Sequence, residues 1–144
     1  MPLNEKAART ALFSHFNTEW PTVQPTVPVA RPNDGFDPDT AQEWVRMIVR
    51  NTASRLVALS DARPNREWRV WAQIAVDVFV LPGTGEGRID TLTRDCAAIW
   101  RLAHSEDLSG ITTRAPEILG GNLVEDGAWY HKVVVTPIFY DMRG

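Results

Sequence analysis

Residues 68–81 read WRVWAQIAVDVFVL and run directly into a glycine-rich loop, PGTGEG, at 82–87. Every even position from Trp68 to Val80 is apolar, whereas the odd positions mix Arg69, Gln73 and Asp77 with aromatic and aliphatic residues. A period of two over this length predicts a long strand with one face in a hydrophobic core. The other face is only partly polar, and a half-apolar outer face is typical of a subunit that contacts other proteins.

Two helices are predicted around this strand. After the loop, apolar residues recur three and four positions apart over 88–103, at Ile89, Leu92, Cys96, Ile99 and Ala103. This spacing places them on one face of an amphipathic helix. An apolar stripe four residues apart predicts an N-terminal helix over 4–17, with Asn4 as its cap. Pro21 should end that helix, because the residue before a proline, here Trp20, avoids helical angles.

Further strands complete the predicted sheet. Alternation over 43–50 predicts a second strand, antiparallel to the long one, and 109–115 could form a short strand. Residues 120–122 read as a turn, and the last strand covers 128–140, where Pro137 suggests a sheet edge or a bulge. The predicted fold is α+β, a mostly antiparallel β-sheet with two helices packed on one face, in a single domain over 1–144.

Composition restricts the class of protein. The net charge of −3 argues against a nucleic-acid-binding protein, which usually carries a basic face. A single cysteine excludes an internal disulfide and a CxxC metal site, and its place on the helix stripe favours a small buried residue over a nucleophile. No stretch approaches 18 consecutive apolar residues, so no membrane span is predicted.

The glycine loop suggests nucleotide binding, because helix N-termini bind phosphate through free N–H groups. A Walker loop would need Lys and Ser or Thr after Gly87, where Arg88 and Ile89 stand instead. Glu86 would also place a negative charge beside the phosphate. A small nucleotide-binding α+β domain that uses the loop from Gly83 to Gly87 is therefore an alternative rather than the preferred interpretation.

Other polar residues do not form a recognisable catalytic pattern. The three histidines, at positions 15, 104 and 131, are far apart in sequence and show no metal-ligand spacing. No Gly-x-Ser-x-Gly motif is present. We therefore predict a protein that is not an enzyme and that uses no cofactor and no metal.

The order of segments resembles the tail terminator proteins of long-tailed, siphovirus-like bacteriophages. A short N-terminal helix leads to VPVARPN at 27–33, FDP at 36–38 and WVR at 44–46, then to the long strand ending VFVLPGTG at 78–85. An amphipathic helix and a final strand containing VVVTPI at 133–138 follow. The resemblance covers nearly the whole chain; the segment order and the Pro-Gly-x-Gly exit from the long strand carry most of it.

The resemblance implies a structural virion protein. Such proteins form a hexameric ring that caps the tail tube, stops its polymerisation and presents a surface to the head-completion or neck proteins. Genomic DNA would pass through the lumen without specific binding. The implied location is the virion tail, assembled in the cytoplasm of the host bacterium. A neck or head–tail joining protein of similar size is the alternative within phage structure.

A ring of this kind needs two different contact patches on each subunit. The half-apolar outer face of the long strand and the surplus tryptophans are candidate patches. The predicted subunit-interface residues are Trp71 and Gln73 on the long strand, Trp44 and Arg46 on the second strand, and Gly83, Gly85 and Arg88 at the glycine loop.

Overall fold

Two helices lie on one face of a mixed, mostly antiparallel six-stranded sheet in the computed structural model, which describes residues 4–30, 43–58, 67–83, 86–103, 108, 110–123 and 129–143. In chain order the elements are α1 (Glu5–Val23), β1 (Val29–Ala30), β2 (Glu43–Ala58), β3 (Glu67–Val80), α2 (Glu86–Ala103), β4 (Thr112–Thr113), β5 (Glu117–Leu123) and β6 (Tyr130–Arg143). The predicted α+β fold class is confirmed.

The sheet is built around the long strand β3. The strand order is β1-β2-β3-β6-β4, and β5 pairs with β6 on the same side as β4. All pairs are antiparallel except β1 with β2. The predicted antiparallel pairing of the second strand with the long strand is confirmed, and it runs in register from Glu43 opposite Val80.

The core lies between the sheet and the two helices. The even positions of β3 from Val70 to Val80 are all buried, as the period of two predicts. The predicted stripe of α2 is also confirmed, since all five of its residues are buried in the same cluster. Helix α1 adds a second stripe, formed by Ala8, Leu12, Phe16 and Trp20. No helix of the described segments is long and apolar enough to cross a membrane.

Helix α1 is longer than predicted, and Pro21 lies inside it. The N–H that proline lacks would have met the carbonyl of Asn17, so the last turn loses one hydrogen bond. Burial of Trp20 holds this turn in place: its ring stacks on Phe16 at 5.5 Å, and its Nε1 donates to the Val27 carbonyl at 3.1 Å. Packing therefore overrides the local preference of the residue before proline.

Strand β2 also extends past its predicted end at residue 50, to Ala58. The pairing with β3 shifts register between Asn51 and Ala53, and a bulge of this kind breaks the alternation that a sequence pattern relies on. The hydroxyl of Thr52 donates to the Trp71 carbonyl across the bulge at 3.1 Å. The strand thus continues where its period of two is no longer visible.

The predicted turn at residues 120–122 is wrong, because these residues are part of β5. Gly120 has a φ of +97°, and the register with β6 shifts between Gly120 and Asn122. A glycine in the left-handed region inside a strand marks a bulge. The bulge and a tight hairpin turn need the same residue type, so the sequence could not distinguish them.

Pro137 is not at a sheet edge, because β6 lies between β3 and the pair β4 and β5. The Pro137 carbonyl accepts from the Arg114 N–H at 2.8 Å, on the side of β4. The backbone N and O of one strand residue point to the same side. The missing N–H of Pro137 therefore faces the interval between β4 and β5, and the pairing with β3 is not affected.

Candidate subunit interface

The sheet has an open face, on the side away from both helices in the described chain, to which the odd residues of β3 point. Four of the predicted interface residues lie on it: Trp44 and Arg46 from β2, and Trp71 and Gln73 from β3. Gln73 is exposed and Trp71 is half-buried. The structure therefore brings these four residues to one surface, along most of the length of the sheet.

Most of the Trp44 side chain packs against residues of its own subunit. Its ring stacks on Phe79 at a centroid distance of 4.0 Å and meets the edge of Trp129 at 5.9 Å. Together with Ala30, these residues form a small second core at one end of the open face, where Trp44 is only 8% exposed. Trp44 therefore stabilises this end of the sheet and offers little area to a neighbour.

Arg46 belongs to a cluster of charged residues centred on Asp77. Its Nε and Nη2 donate to Asp77 Oδ2 at 3.2 and 3.0 Å, and His131 Nε2 lies 2.9 Å from Oδ1. The His131 ring also stacks on Phe79 at 4.8 Å. Burial raises the pKa of Asp77, but the hydrogen bonds from His131 and Arg46 outweigh it and hold that pKa below its ordinary value. Asp77 is therefore an ionised, structural carboxylate at neutral pH.

A second ion pair lies at the opposite end of the open face. Arg69 forms a bidentate contact with Asp141, with distances of 2.9 and 3.1 Å. The guanidinium groups of Arg69 and Arg114 both lie over the Phe139 ring, at 4.9 and 5.7 Å. Cation–π contacts of this kind hold both arginines against the sheet.

The centre of the open face is apolar. The register places Ile48, Ala75 and Val135 side by side across three strands. In the adjacent row of side chains, Leu119 of β5 lies opposite Val133 of β6 and is 48% exposed. We call this apolar surface the sheet patch; it consists of Ile48, Trp71, Ala75, Leu119, Val133 and Val135. The exposed residues Arg50, Arg114 and Glu117 lie at its rim, with Glu117 opposite Val135.

The remaining predicted residues lie at the connection between β3 and α2. Gly83 is exposed with a φ of +87°, and Gly85 lies outside the described residues. Arg88 faces inward: its Nε donates to Glu43 Oε2 at 2.7 Å, its Nη2 bonds to the other oxygen of Glu43, and the same Nη2 donates to Gln24 at 3.2 Å. Arg88 thus ties the first turn of α2 to the start of β2 and to the end of α1.

The described part of this connection carries acidic groups where a phosphate would need donors. Glu86 occupies the first turn of α2 and accepts from the Tyr130 hydroxyl at 2.9 Å. Asp90, one turn later, accepts from Lys132 Nζ at 2.8 Å. Carboxylates at a helix N-terminus occupy the positive end of its dipole and repel an anion. Nothing in these contacts favours the nucleotide-binding alternative.

A second apolar surface lies in the groove between the two helices. Val23 at the end of α1 is 45% exposed and Leu102 on α2 is 65% exposed. The acidic residues Glu19 and Asp95 line the same groove. We call this surface the helix patch; it consists of His15, Glu19, Val23, Asp95, Ala98, Ile99 and Leu102.

Sequence reasoning did not identify the helix patch. A signal existed, since Leu102 is a large apolar residue that falls outside the stripe of α2. Leu119 could not be found, because the sequence pattern predicts no strand between residue 115 and the turn at 120–122, whereas the structure has β5 there. Among the described residues, no three His, Cys, Asp or Glu side chains are placed to hold a metal ion. Cys96 is fully buried, and burial raises the pKa of its thiol far above the ordinary value.

Comparison with known proteins gives the fold and not a family. No family model matches the sequence, and no curated protein matches it. Among solved structures, one superposes on this chain with a TM-score of 0.62 at 20% sequence identity, covering 96% of this chain and 96% of that one. The name of that protein describes no activity. This similarity extends over the whole two-layer arrangement and shows that the fold occurs in another protein.

Proposed function

We propose that this protein is a tail terminator of a long-tailed bacteriophage. In this role it forms a hexameric ring that caps the tail tube, stops its polymerisation and provides the surface for head joining. Its partners would be copies of itself, the tail tube protein and a head-completion or neck protein. The work is structural and needs no catalytic residue and no cofactor.

The observation that carries the proposal is the presence of two unlike apolar surfaces on one subunit. The helix patch contains Val23 and Leu102, whereas the sheet patch contains Leu119, and all three side chains are more than two-fifths exposed. Large apolar side chains with this exposure mark contact sites on a soluble domain when they cluster. A six-fold ring requires such a pair, because each subunit meets one neighbour with one surface and the other neighbour with a different one.

The charge of the chain and of its open face is compatible with a ring through which DNA passes. The chain carries 15 Lys and Arg against 18 Asp and Glu. Four arginines on the open face are exposed or half-buried, and two of them, Arg46 and Arg69, are paired with Asp77 and Asp141. A lumen that makes few phosphate contacts binds DNA weakly and lets it pass.

Polymerisation of the tail tube in the presence of the protein tests this proposal. Tube protein from the phage that encodes this chain is allowed to polymerise with increasing amounts of the purified protein, and tube lengths are measured by electron microscopy. A terminator shortens the tubes and leaves a six-fold ring at one end. Unchanged tube lengths with bare ends would refute the proposal, and rings that bind purified heads instead of tubes would assign the protein to the neck.

A further inference from the structure

We propose that the helix patch of one copy docks on the sheet patch of the next copy. The inference rests on the proposed ring and names the two surfaces that close it. It would place the helices of one subunit against the uncovered sheet of its neighbour, so that each sheet becomes covered on both faces. A helix layer on a half-apolar sheet face is a stable packing arrangement in globular proteins.

Charge complementarity favours this pairing over the two symmetric ones. The helix patch carries Glu19 and Asp95, and the sheet patch has Arg50, Arg114 and Glu117 at its rim, so that rim has more positive than negative groups. Packing the sheet patch on a second sheet patch would bring two such rims together, and packing two helix patches would bring the acids together. Like charges opposed in an interface destabilise it, whereas opposite charges fix its orientation.

The area can be compared with that of known interfaces. The rectangle of sheet that encloses the sheet patch spans four strands and four side-chain rows, and at about 4.8 Å per strand and about 6.8 Å per row it measures about 19 by 27 Å, or roughly 500 Å² in projection. It also contains Gln73, Glu117 and the Arg46–Asp77 pair. A stable protein interface buries about 800 Å² of accessible surface on each partner, including its polar rim. The apolar side chains fill only part of this rectangle, and the polar residues around them, Arg50 and Arg114 among them, would supply the rest of a specific contact between copies.

A mixing experiment tests the contact directly. Leu102→Asp disables the helix patch and Leu119→Asp disables the sheet patch, and both side chains are exposed enough for the fold to tolerate the change. Each variant alone should be a monomer in light scattering, with association weakened at least about tenfold. An equimolar mixture should form one-to-one dimers and nothing larger, because each variant retains the surface that the other has lost. Thr10→Asp, on the exposed side of α1, adds the same charge outside both patches and should assemble like the original protein.

A charge exchange provides the second test and does not depend on β5 tolerating a charged residue. Glu19→Arg and Arg50→Glu should each weaken association about tenfold at low salt, and the double variant should recover most of the loss, since each contact again joins opposite charges. Circular dichroism verifies that every variant is folded.

Three outcomes would overturn the inference. One is a Leu102→Asp variant that associates like the original chain, another is a double charge variant that shows additive losses, and the third is an original chain that is monomeric at millimolar concentration. If the original chain forms rings that cap tubes but the patch variants do so equally well, only this inference fails. If the mixed variants dimerise as expected but the original chain never alters tube length, the docking stands and the tail terminator function fails.

Discussion

The cluster around Asp77 allows a quantitative prediction about the open face. Replacing Arg46 with Met removes two hydrogen bonds to the Asp77 carboxylate, at 3.2 and 3.0 Å, and a cation–π contact with Phe79. Asp77 then keeps a single side-chain donor, His131, among its described contacts. Hydrogen bonds to charged groups contribute about 1.5–3 kcal/mol when buried, while exposed ion pairs contribute about 0.2–1 kcal/mol.

The exposure of the two partners decides between these limits. The Asp77 side chain is 12% exposed, but that of Arg46 is 46% exposed, so solvent screens the pair on one side. We therefore expect Arg46→Met to lower the free energy of unfolding by about 1.5 kcal/mol. A double-mutant cycle with Asp77→Asn should give a coupling energy of about 1 kcal/mol. Arg94→Met, at an exposed arginine of α2, is the matched control and should change stability by less than about 0.5 kcal/mol.

The same cluster predicts a dependence on pH. The pKa of Asp77 in the folded chain lies below its ordinary value. The stabilisation is therefore fully present above about pH 3.8, the value for the unfolded chain, and is lost as the pH falls through the lower folded-state pKa. The stability advantage of the original protein over Asp77→Asn should shrink in this acidic range. Urea unfolding followed by fluorescence at several pH values measures both quantities. A coupling energy below about 0.3 kcal/mol, or an advantage that stays constant from neutral to strongly acidic pH, would refute the reasoning.

Three further predictions concern the helix layer. Ile99→Asp should unfold the subunit, because Ile99 is 5% exposed and a buried unpaired charge costs about 3–5 kcal/mol. If circular dichroism showed that the variant is folded, this face of α2 would be misassigned. Pro21→Ala should raise the free energy of unfolding by about 1 kcal/mol, because the last turn of α1 regains a backbone donor, and a lower melting temperature would contradict a helix that continues through this position. Cys96 should resist thiol reagents until denaturant is added, since its thiol is fully buried and its pKa is raised; rapid labelling of the native protein would show that the core around it opens.

In the described part of the chain both helices pack on one face of the sheet and leave the other face open. This open face is stabilised at its two ends, by the Trp44 cluster with the adjoining Asp77 ion pairs and by the arginines over Phe139. The apolar centre between them contains Ile48 and Val135, which are half-buried. Contacts at both ends with an apolar centre between them suit a surface whose shape is already fixed before it binds a partner.

The sequence determined the parts of the fold that depend on periodicity within one segment. Alternation along β3 and the stripe of α2 identified the core residues correctly, because burial of one face imposes a period of two on a strand and a period near 3.6 on a helix. The mixed character of the odd positions of β3 also indicated a second surface. Two of the predicted interface residues, Trp71 and Gln73, lie at these positions, and the pairing with β2 adds Trp44 and Arg46 to the same face.

Only the tertiary structure decided which distant residues meet. Asp77 and His131 are 54 positions apart, and they become neighbours because β6 pairs with β3 in one particular register. The helix patch exists because α1 lies beside α2, and the bulge at Gly120 became visible only once β5 was paired with β6. Periodicity records whether a side chain is buried, whereas register, bulges and helix contacts arise from pairing between segments. A single segment carries no signal for its partner.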